Sequence, residues 1–321
     1  MKNSNIKVLI IGPYPPPEGG VSVHLKRLLK KSSEYSSPEL AIFDPGRRIF
    51  VSNNIISYNI ITVIKYFLAA NIVHIHSSHR YKLLIGRITK LFGKKLLFTI
   101  HNPRELENVA TKNLLKISDK TIYVFRDENY PERLVIPAYI PSIVKADNIP
   151  FVKLERKLIV AMGSTPKSQS DNEDIYGFNI LIEAIPYFKS ELNCLIVFVD
   201  VNGTFESRYR SKIEALNKPD SNSEFLYLST GIDFPAILKQ TDVYVRPTTS
   251  DGDSIAVREA LDAGAIVVAS DCVIRPTGCL LFQTNDVIDL GTKISEAFGM
   301  ERKVYKQVDF SGTIFNIYAG L

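Results

Sequence analysis

Short apolar runs rich in β-branched residues alternate with helical patterns along this chain, and the alternation runs twice. The first half offers strand candidates such as Lys7–Ile11, Ile72–Ile75 and Lys95–Ile100, and the second half offers Leu158–Met162 and Leu195–Asp200. Such alternation is typical of parallel strands joined by crossover helices. The near-continuous apolar run in Leu195–Asp200 further indicates a strand that is buried on both sheet faces. We therefore expect an α/β protein with two doubly wound domains.

The pattern also predicts where one domain gives way to the next. The stretch Ile136–Pro150 contains three prolines and is the linker candidate, so we expect domains at 1–150 and 151–305. In the remaining segment, 306–321, the residues Phe310–Tyr318 are expected to return to the first domain as a helix. The other predicted strands are 40–43, 121–124, 134–136, 224–228, 243–246, 266–270 and 280–282, and the predicted helices are 20–31, 58–70, 80–92, 104–117, 178–189, 205–217, 233–240, 254–263 and 286–299.

Composition excludes several other classes of protein. With 321 residues, 45% hydrophobic and 23% charged, the chain is neither disordered, collagen-like nor a multispan membrane protein. Its three cysteines form no CxxC pair, which argues against a disulfide framework or a thiolate metal site and favours a reducing compartment. The longest apolar stretch, 55–72, is interrupted by polar residues and is predicted to be a core helix rather than a membrane-spanning one. No secretory signal is expected, because the apolar run before Gly12 is only Val8–Ile11.

Charge is divided unevenly between the two halves. Residues 1–150 hold 22 Lys and Arg against 11 Asp and Glu, whereas residues 151–321 hold 17 against 23. The stretches 24–31 and 80–95 read as basic amphipathic helices, which suit an anionic bilayer surface, although a solvated face on a core helix is the alternative for each. The first half is therefore expected to meet an anionic partner. Nucleic acid is disfavoured, since no aromatic-interleaved basic motif is present.

A proline-rich loop follows the first predicted strand. It begins at Gly12 and ends in Gly19 and Gly20, where the next helix opens. Glycines there let backbone amides approach a phosphate or a sugar hydroxyl closely. The loop is not the GxGxxG dinucleotide fingerprint. A simple proline-rich connector with a glycine cap remains the alternative.

Two predicted strands end in histidine. His74 and His76 occupy alternate positions of one strand, and His101 follows the end of another. For the pair, a packed or capping role is favoured over a metal site, because the helix after it is basic. Ligands of open α/β sheets bind beyond the carboxyl ends of the strands, so we expect His101 to face a ligand.

The densest polar stretch runs from Thr241 to Asp271 as strand, loop, helix and strand. Glu259 lies on a helix face that is otherwise apolar, where an unpaired carboxylate costs several kcal/mol. A ribose diol would satisfy it, and a neighbouring arginine is the structural alternative. The backbone amides at the start of this helix can hold a diphosphate, aided by the helix dipole. Those amides belong to Gly252, Asp253, Ser254 and Ile255.

The same loop contains two aspartates in a D-x-D arrangement. Asp251 and Asp253 could bind a divalent metal, but a capping role and a sugar-hydroxyl acceptor are favoured, since the helix terminus already supplies positive potential.

Taken together, these motifs resemble the retaining glycosyltransferases of group 1 (family four), which have the GT-B fold of two Rossmann-like domains facing across a cleft. The resemblance runs over nearly the whole chain. It rests on the Gly19-Gly20 loop, the strand ending in His76, Thr99–His101 and the block 242–271. It implies transfer of a sugar from a nucleotide donor, with no metal or other cofactor required.

The resemblance also implies roles for single residues. Glu259 would hold the donor ribose, and Asp251 with the following amides would face the transferred sugar. His101 would contact the donor hexose, and Gly19 and Gly20 would lie near the donor and acceptor.

The chain departs from the family pattern at two places. Where the family carries an arginine and a lysine that meet the diphosphate, this chain has Ser164 and Tyr176. Lys167 and Arg246 are the candidate substitutes, although neither stands at the family position.

We therefore predict a retaining glycosyltransferase of hexosyltransferase type that acts in bacterial capsule or lipopolysaccharide synthesis on a lipid-linked or saccharide acceptor. It is expected to be cytoplasmic, with peripheral contact between its basic half and the inner face of the membrane. A sugar-nucleotide epimerase on the same fold and a non-catalytic nucleotide- or glycolipid-binding relative are the alternatives.

Overall fold

The computed structural model describes residues 6–35, 37–76, 79, 81–142, 149–164, 174–188, 193–218, 222–229 and 232–321. Contacts divide the chain into two compact units. The first comprises Met1–Ile140 with Val308–Leu321, and the second comprises Pro141–Gln307. Each unit is built on its own, mostly parallel sheet, so the α/β prediction is confirmed.

Seven strands form the sheet of the first unit: β1 (Lys7–Ile11), β2 (Glu39–Asp44), β3 (Ile49–Ser52), β4 (Ile55–Ser57), β5 (Ile72–Ile75), β6 (Lys95–Ile100) and β7 (Lys120–Tyr123). Their order across the sheet is β4-β3-β2-β1-β5-β6-β7. The strands β1, β2, β5, β6 and β7 are parallel, and β3 and β4 form an antiparallel extension at one edge.

The antiparallel extension was not predicted from the sequence. Its two strands are joined by Asn53 and Asn54, which both have positive φ (49° and 62°). Asparagine tolerates this left-handed backbone, and two such residues in succession suit a tight hairpin turn. By contrast, the predicted strand at 134–136 is wrong, because the structure records only a single bridge there, between Tyr123 and Val135.

Four α-helices accompany the strands of this sheet: α1 (Gly20–Ser32), α2 (Ile60–Ala69), α3 (Lys82–Leu91) and α4 (Val109–Ile117). The predicted helix 104–117 is divided into a 3-10 helix, Pro103–Glu107, and α4. The division falls at Asn108, whose side-chain oxygen accepts hydrogen bonds from the amides of Ala110 and Thr111. An asparagine cap starts a new helix more readily than it continues an old one.

The prediction of a core helix in 55–72 is wrong. Among the residues of α2 only Val63 is buried, while Ile60, Ile61, Ile64 and Leu68 are exposed. A helix that is apolar on all sides still presents only one side to its sheet, so mean hydropathy alone does not place it in a core.

The second unit contains six strands, all parallel: β8 (Lys157–Gly163), β9 (Cys194–Asp200), β10 (Glu224–Ser229), β11 (Val243–Arg246), β12 (Ile266–Ser270) and β13 (Cys279–Phe282). Their order is β10-β9-β8-β11-β12-β13. The helices of this unit are α5 (Phe178–Phe188), α6 (Glu206–Glu214), α7 (Phe234–Gln240), α8 (Ile255–Asp262) and α9 (Val287–Phe298). Every residue of β9 is buried, as its apolar run predicts.

The last helix, α10 (Ser311–Ala319), packs on the first unit. Ile314, Phe315 and Tyr318 share a hydrophobic cluster with Leu25 and Leu28 of α1. The chain thus leaves the second unit and ends against the first, which brings Tyr318 close to residues that lie more than 200 positions earlier.

Candidate functional site

In each sheet the strand order reverses at one place, and open α/β sheets bind ligands beyond the strand ends at such a switch point. In the first sheet the point lies between β1 and β5, which are followed by Gly12 and His76. In the second sheet it lies between β8 and β11, which end at Gly163 and Arg246. The residues predicted from the sequence gather at these two places.

The proline-rich loop after β1 is fixed by polar contacts to the end of β2. Asp44 accepts a hydrogen bond from the amide of Tyr14 (3.1 Å), and the Arg47 guanidinium donates to the carbonyls of Tyr14 and Pro16. The Ser22 hydroxyl accepts from the amide of Gly19 and donates to the carbonyl of Pro17. These contacts hold the entrance to α1 in one conformation.

Gly20 is the first residue of α1 and is exposed. A Cβ atom added there would meet no heavy atom within 4 Å, so packing does not require glycine at this position. Gly12 differs, since its Cβ would come within 2.5 Å of Leu25 Cδ1. Space beside Gly20 is therefore left open at the switch point.

Four histidines cluster beside this loop. His76 Nδ1 lies 2.9 Å from His101 Nε2, and His76 Nε2 lies 3.1 Å from His74 Nδ1. His24 packs its ring 5.5 Å from that of His76 and donates from Nδ1 to the carbonyl of Ala138 (2.7 Å). The favoured packed role of His74 and His76 agrees with this arrangement, in which both rings are buried.

The chain of contacts extends beyond the histidines at its inner end. His74 Nδ1 is 2.7 Å from the hydroxyl of Tyr318, and His74 Nε2 is 2.7 Å from the Thr99 hydroxyl. At the outer end His101 is partly exposed, and its amide donates to Glu105 (3.3 Å). One row of hydrogen-bonded groups therefore joins the C-terminal helix to the predicted ligand-facing histidine.

All four imidazoles are held in the neutral form. Burial lowers the pKa of His24 to about 4 and that of His101 to about 3, and it lowers the pKa of His74 and His76 well below the usual value. A neutral ring carries one N–H and one lone pair, so each can both donate and accept.

In the second unit, Asp251 lies between two arginines after β11. Its carboxylate accepts from Arg246 Nε (3.0 Å) and Nη2 (3.1 Å) and from Arg275 Nη1 (2.8 Å). The side chains of Asp251, Arg246 and Arg275 are only 10%, 8% and 2% exposed. Burial would raise the pKa of Asp251, but the two arginines outweigh it and lower that pKa to about 2. The carboxylate is thus ionised and closely surrounded by donors.

Ser164 and Tyr176, which stand where the family carries cations, contact each other. The Tyr176 hydroxyl donates to the carbonyl of Ser164 (2.9 Å), and the Arg246 guanidinium lies 5.0 Å from the Tyr176 ring centre. The next residue, Gly177, has φ +72°, and a Cβ there would lie 2.0 Å from the carbonyl oxygen of Pro247. Only glycine lets these two loops approach so closely.

Helix α8 begins four residues after Asp251. Ser254 is its N-cap, and the hydroxyl accepts from the amide of Val257 (3.3 Å). Asp253 forms an ion pair with Arg258 (2.7 Å), whose Nη1 donates to Gln307 (2.8 Å). Glu259 lies in the second turn and is partly exposed. The two aspartates of the D-x-D sequence are thus each paired with arginine.

The predicted residues therefore fall into two groups, one in each unit. Gly19, Gly20 and His101 lie at the first switch point. The second switch point holds Arg246, Asp251, Gly252, Asp253, Ser254, Ile255 and Glu259. Lys167 lies outside the described residues.

Sequence reasoning did not identify Arg275, Glu105 or Tyr318. Arg275 lies 24 residues after Asp251 with no motif between them, and Tyr318 lies 244 residues after His74. A spacing signal exists only for Glu105, four residues after His101 at the end of a strand.

Comparison with known proteins finds a family match over the part of the chain that holds the second-unit group. Residues 172–297 match the family of glycosyl transferases group 1, a range that includes every residue of the second-unit group. Over 190 residues, 59% of this chain, the sequence is 24% identical to the N,N'-diacetylbacillosaminyl-diphospho-undecaprenol alpha-1,3-N-acetylgalactosaminyltransferase of Campylobacter jejuni. The chain spans about half the length of that relative, since the match covers 46% of it.

Solved structures show the same fold. HepE of Anabaena, in complex with UDP and glucose, matches with a TM-score of 0.63 at 13% identity over 98% of this chain and 95% of its own. The lipopolysaccharide outer core galactosyltransferase WaaB matches with a TM-score of 0.61 at 12% identity over 98% and 100%. The predicted GT-B fold is confirmed, and the match to the predicted group 1 family covers residues 172–297.

Proposed function

Starting from a chain that has the GT-B fold and a glycosyl transferases group 1 domain, we propose that it transfers a hexose from a nucleotide-sugar donor to a lipid-linked saccharide with retention of anomeric configuration. The proposal is supported mainly by the position of Arg246, Asp251 and Arg275, together with the α8 N-terminus, at the switch point of the second sheet and inside the matched range. That is where an open α/β sheet binds a nucleotide.

The donor would be held mainly by the second unit. The amides in the first turn of α8 point out of the helix N-terminus, and together with the helix dipole they suit a diphosphate. Glu259, one turn into the same helix, would accept from the ribose hydroxyls. Arg246 adds positive charge at the end of β11, with its guanidinium placed by Asp251. Lys167 remains a candidate for a further diphosphate contact.

Glycosyl transfer requires that the departing nucleoside diphosphate and an oxocarbenium-like sugar are both stabilised. Fixed amides and cations aimed at the leaving group supply this without reorganisation during the reaction. His101, a neutral ring that reaches solvent, would contact the hexose, and the open space at Gly20 would admit the sugar or the acceptor. Asp251 would act on the transferred sugar indirectly, because its oxygens already accept from two arginines.

We propose that no metal ion takes part in donor binding. In the described part of the chain no group of three or more His, Cys, Asp and Glu side chains could hold a metal ion. The carboxylates of the D-x-D sequence are matched by Arg246, Arg275 and Arg258, which leaves little negative charge for a cation. Addition of EDTA is expected to leave transfer unchanged, and a requirement for Mg²⁺ or Mn²⁺ would contradict this part of the proposal.

The acceptor proposal is supported by two relatives. The Campylobacter jejuni enzyme is named for a diphospho-undecaprenol acceptor, and WaaB is named for the lipopolysaccharide outer core. We propose a lipid-linked saccharide of capsule or lipopolysaccharide synthesis for this chain as well. Among the described helices none is long and apolar enough to cross a membrane. We propose a cytoplasmic site of action with peripheral contact between the first unit, which carries the excess of Lys and Arg, and the inner membrane face.

Nucleotide binding tests the core of the proposal. Isothermal titration of UDP and GDP is expected to show binding by the wild type and at least tenfold weaker binding by Glu259→Gln, because a hydrogen bond to a charged group contributes about 1.5–3 kcal/mol. Glu296→Gln is the matched control, since Glu296 is an exposed helical glutamate of the same unit that pairs with Lys293. Absence of binding by the wild type would overturn the proposal.

A further inference from the structure

The outward face of α2 is apolar. Ile60, Ile61, Ile64 and Leu68 are each 51–57% exposed and follow helical spacing, so they lie along one side of the helix. The opposite side carries the buried Val63. Large apolar residues that are exposed singly are ordinary, but a row of four on one helix is a surface that something covers.

This face is presented by a firmly attached helix. On its inner side the Tyr66 hydroxyl donates to the carbonyl of Glu39 (3.1 Å), and the Phe67 ring meets that of Phe92 edge-on at 5.5 Å. The Lys94 ammonium donates to the carbonyls of Leu68 (2.9 Å) and Ala70 (2.7 Å), which closes the end of the helix. The exposure therefore does not come from a helix that lies loose on the surface.

Apolar side chains are also exposed on the elements that precede and follow the helix in the sequence. Ile55 on β4 and Phe92 after α3 are also exposed. Of the 25 large apolar side chains that are exposed among the described residues, 12 lie within residues 55–92. We use the name α2 surface for Ile55, Ile60, Ile61, Ile64, Leu68 and Phe92.

The charge around this surface has one sign. Residues 45–104 contain ten Lys and Arg and no Asp or Glu. Lys65 on α2, Arg87 on α3 and Lys95 after it are exposed. Two lysines of α3 are paired with acids outside this range, Lys82 with Glu105 and Lys90 with Asp119. The other basic helix, α1, differs on its apolar side, because its leucines are buried. Apolar exposure and an excess of positive charge thus coincide at α2 and α3.

We propose that the α2 surface docks on an anionic phospholipid bilayer, with α2 lying in the plane of the interface. The charge favours a bilayer over a second copy of this chain, because two such surfaces would repel each other. Each nearby Lys or Arg adds to attraction by anionic lipid, and the isoleucines enter the acyl boundary. With ten residues, about 15 Å, the helix is too short to span the membrane. This inference rests on the proposed function in one respect: a lipid-linked acceptor would explain why the protein needs such a surface.

The chain contains no tryptophan, so a single one introduced at the surface reports its own environment. Ile64→Trp is expected to show a blue shift of its emission, and quenching by brominated lipid, with vesicles that contain phosphatidylglycerol. Pure phosphatidylcholine vesicles should give much weaker binding. The matched control is Ile288→Trp, an exposed isoleucine in the first turn of α9 in the second unit, for which no shift is expected.

A second pair of variants keeps the test independent of the probe. Ile61→Gln combined with Ile64→Gln should weaken sedimentation with phosphatidylglycerol vesicles at least tenfold, and Ile288→Gln should not change it. Unchanged binding by the double variant would overturn the proposal. So would a monomer produced from a wild-type dimer by the same substitutions, since the surface would then be a protein interface. Vesicle binding is measured without donor or acceptor, so failure of glycosyl transfer leaves it intact.

A different observation concerns the protons of the histidine row. Tyr318 is buried, and its hydroxyl lies 2.7 Å from His74 Nδ1. A buried phenol needs an acceptor for its hydrogen. If the phenol donates to His74 Nδ1, the proton of His74 is on Nε2, which then donates to the Thr99 hydroxyl at 2.7 Å.

This choice fixes the rest of the row. A bare His76 Nε2 would set its lone pair against that of His74 Nδ1, 3.1 Å away, so the proton of His76 is on Nε2, which shares the single His74 lone pair with the phenol. His76 Nδ1 therefore accepts from His101 Nε2 at 2.9 Å. His101 is left with a bare Nδ1. In the reverse direction the Tyr318 hydroxyl would accept from His74, and its own hydrogen would need a further acceptor.

We infer that Tyr318 is a positioning residue that sets the tautomer of His101, so that His101 Nδ1 offers a lone pair to a hydroxyl group of the substrate. The inference rests on the proposed function only for the nature of that substrate. The ring-nitrogen signals of the ¹⁵N-labelled protein without ligand test it directly. The wild type should show His101 protonated at Nε2, and Tyr318→Phe should shift it toward the Nδ1–H form.

Tyr35→Phe is the matched control, because the Tyr35 ring packs on Phe315 of the same helix, 5.2 Å away, without touching the histidines. It should leave the His101 signals unchanged. A wild-type His101 protonated at Nδ1, or an identical ratio of tautomers in Tyr318→Phe, would overturn the inference. Neither outcome depends on nucleotide binding or on transfer.

Discussion

Arg275 Nη1 lies 2.8 Å from Asp251 Oδ2, although 24 residues separate the two in the sequence. The same guanidinium donates to the carbonyl of Ser270 and to the hydroxyl of Thr248. Asp251 therefore joins the loop after β11 to the loop after β12, and its first effect is structural. The acid that the sequence predicts to be catalytic thus links two loops of the candidate site.

Asp251→Asn should lower the free energy of unfolding by about 3–5 kcal/mol, because it leaves two buried guanidiniums without their counter-charge. Urea denaturation at neutral pH measures the loss. Glu296→Gln, on an exposed ion pair, should change stability by less than about 1 kcal/mol. If the Asp251→Asn variant were as stable as the wild type but inactive, Asp251 would instead have a direct part in transfer.

The histidine row should make the first unit sensitive to mild acid. The pKa of each clustered histidine is lower in the folded than in the unfolded chain, so the unfolded chain binds more protons below about pH 6.5. Stability is thus complete above that pH and falls as the pH decreases toward the folded pKa values. Between pH 7 and pH 5.5 each of these histidines should lower the free energy of unfolding by about 1 kcal/mol.

Urea denaturation at these two pH values measures the effect. In His24→Gln the difference in free energy of unfolding between pH 7 and pH 5.5 should be smaller by the contribution of one histidine. Equal stability at pH 7 and pH 5.5 would show that the imidazoles are not held neutral. The lowered pKa of Asp251, about 2, contributes little in this window, since it acts only between about pH 4 and pH 2. Burial raises the pKa of Glu105, which acts against the loss from the histidines as the pH falls.

Gly20→Ala separates a binding role from a structural one. The added methyl meets no atom, and alanine favours a helix, so the free energy of unfolding should stay the same or rise by up to about 1 kcal/mol. If substrate approaches the amide there, KM for donor or acceptor should rise several-fold. Steady-state kinetics and thermal melting on the same sample decide.

Gly12→Ala is the control for this experiment. Its methyl would lie 2.5 Å from Leu25 Cδ1 and 3.2 Å from His76 Cβ, which should destabilise the protein by about 1–3 kcal/mol. Unchanged kinetics in Gly20→Ala would show that no ligand approaches this end of α1.

The sequence was sufficient for the parts of the fold that repeat a local pattern. Runs such as Leu195–Asp200 show their burial in their composition, and the strands they predict are present. The α2 surface was missed because hydropathy counts residues and does not say which side of Ile60–Ala69 meets the sheet. The hairpin at Asn53 and Asn54 had a turn signal, but its strands are only four and three residues long.

The candidate site was predictable only where a motif is contiguous. Gly19, Gly20 and the stretch from Asp251 to Ile255 could be identified because strand, loop and helix follow one another in the sequence. Tyr318 could not, because its contact with His74 depends on the return of residues 308–321 from the second unit to the first. Ion pairs between distant residues are equally hard to predict, because no spacing in the sequence indicates that Arg275 contacts Asp251.

Transfer itself is the most direct test of the central claim. The wild type, Glu259→Gln and Glu296→Gln should be incubated with a panel of UDP- and GDP-sugars and lipid-linked saccharide acceptors in phosphatidylglycerol vesicles. Mass spectrometry of the lipid fraction and release of nucleoside diphosphate are the readouts. We expect one extended acceptor with equimolar nucleoside diphosphate, formed by the wild type and Glu296→Gln and at least tenfold more slowly by Glu259→Gln. Isomerised donor with no extended acceptor, or equal rates for the two glutamate variants, would contradict it.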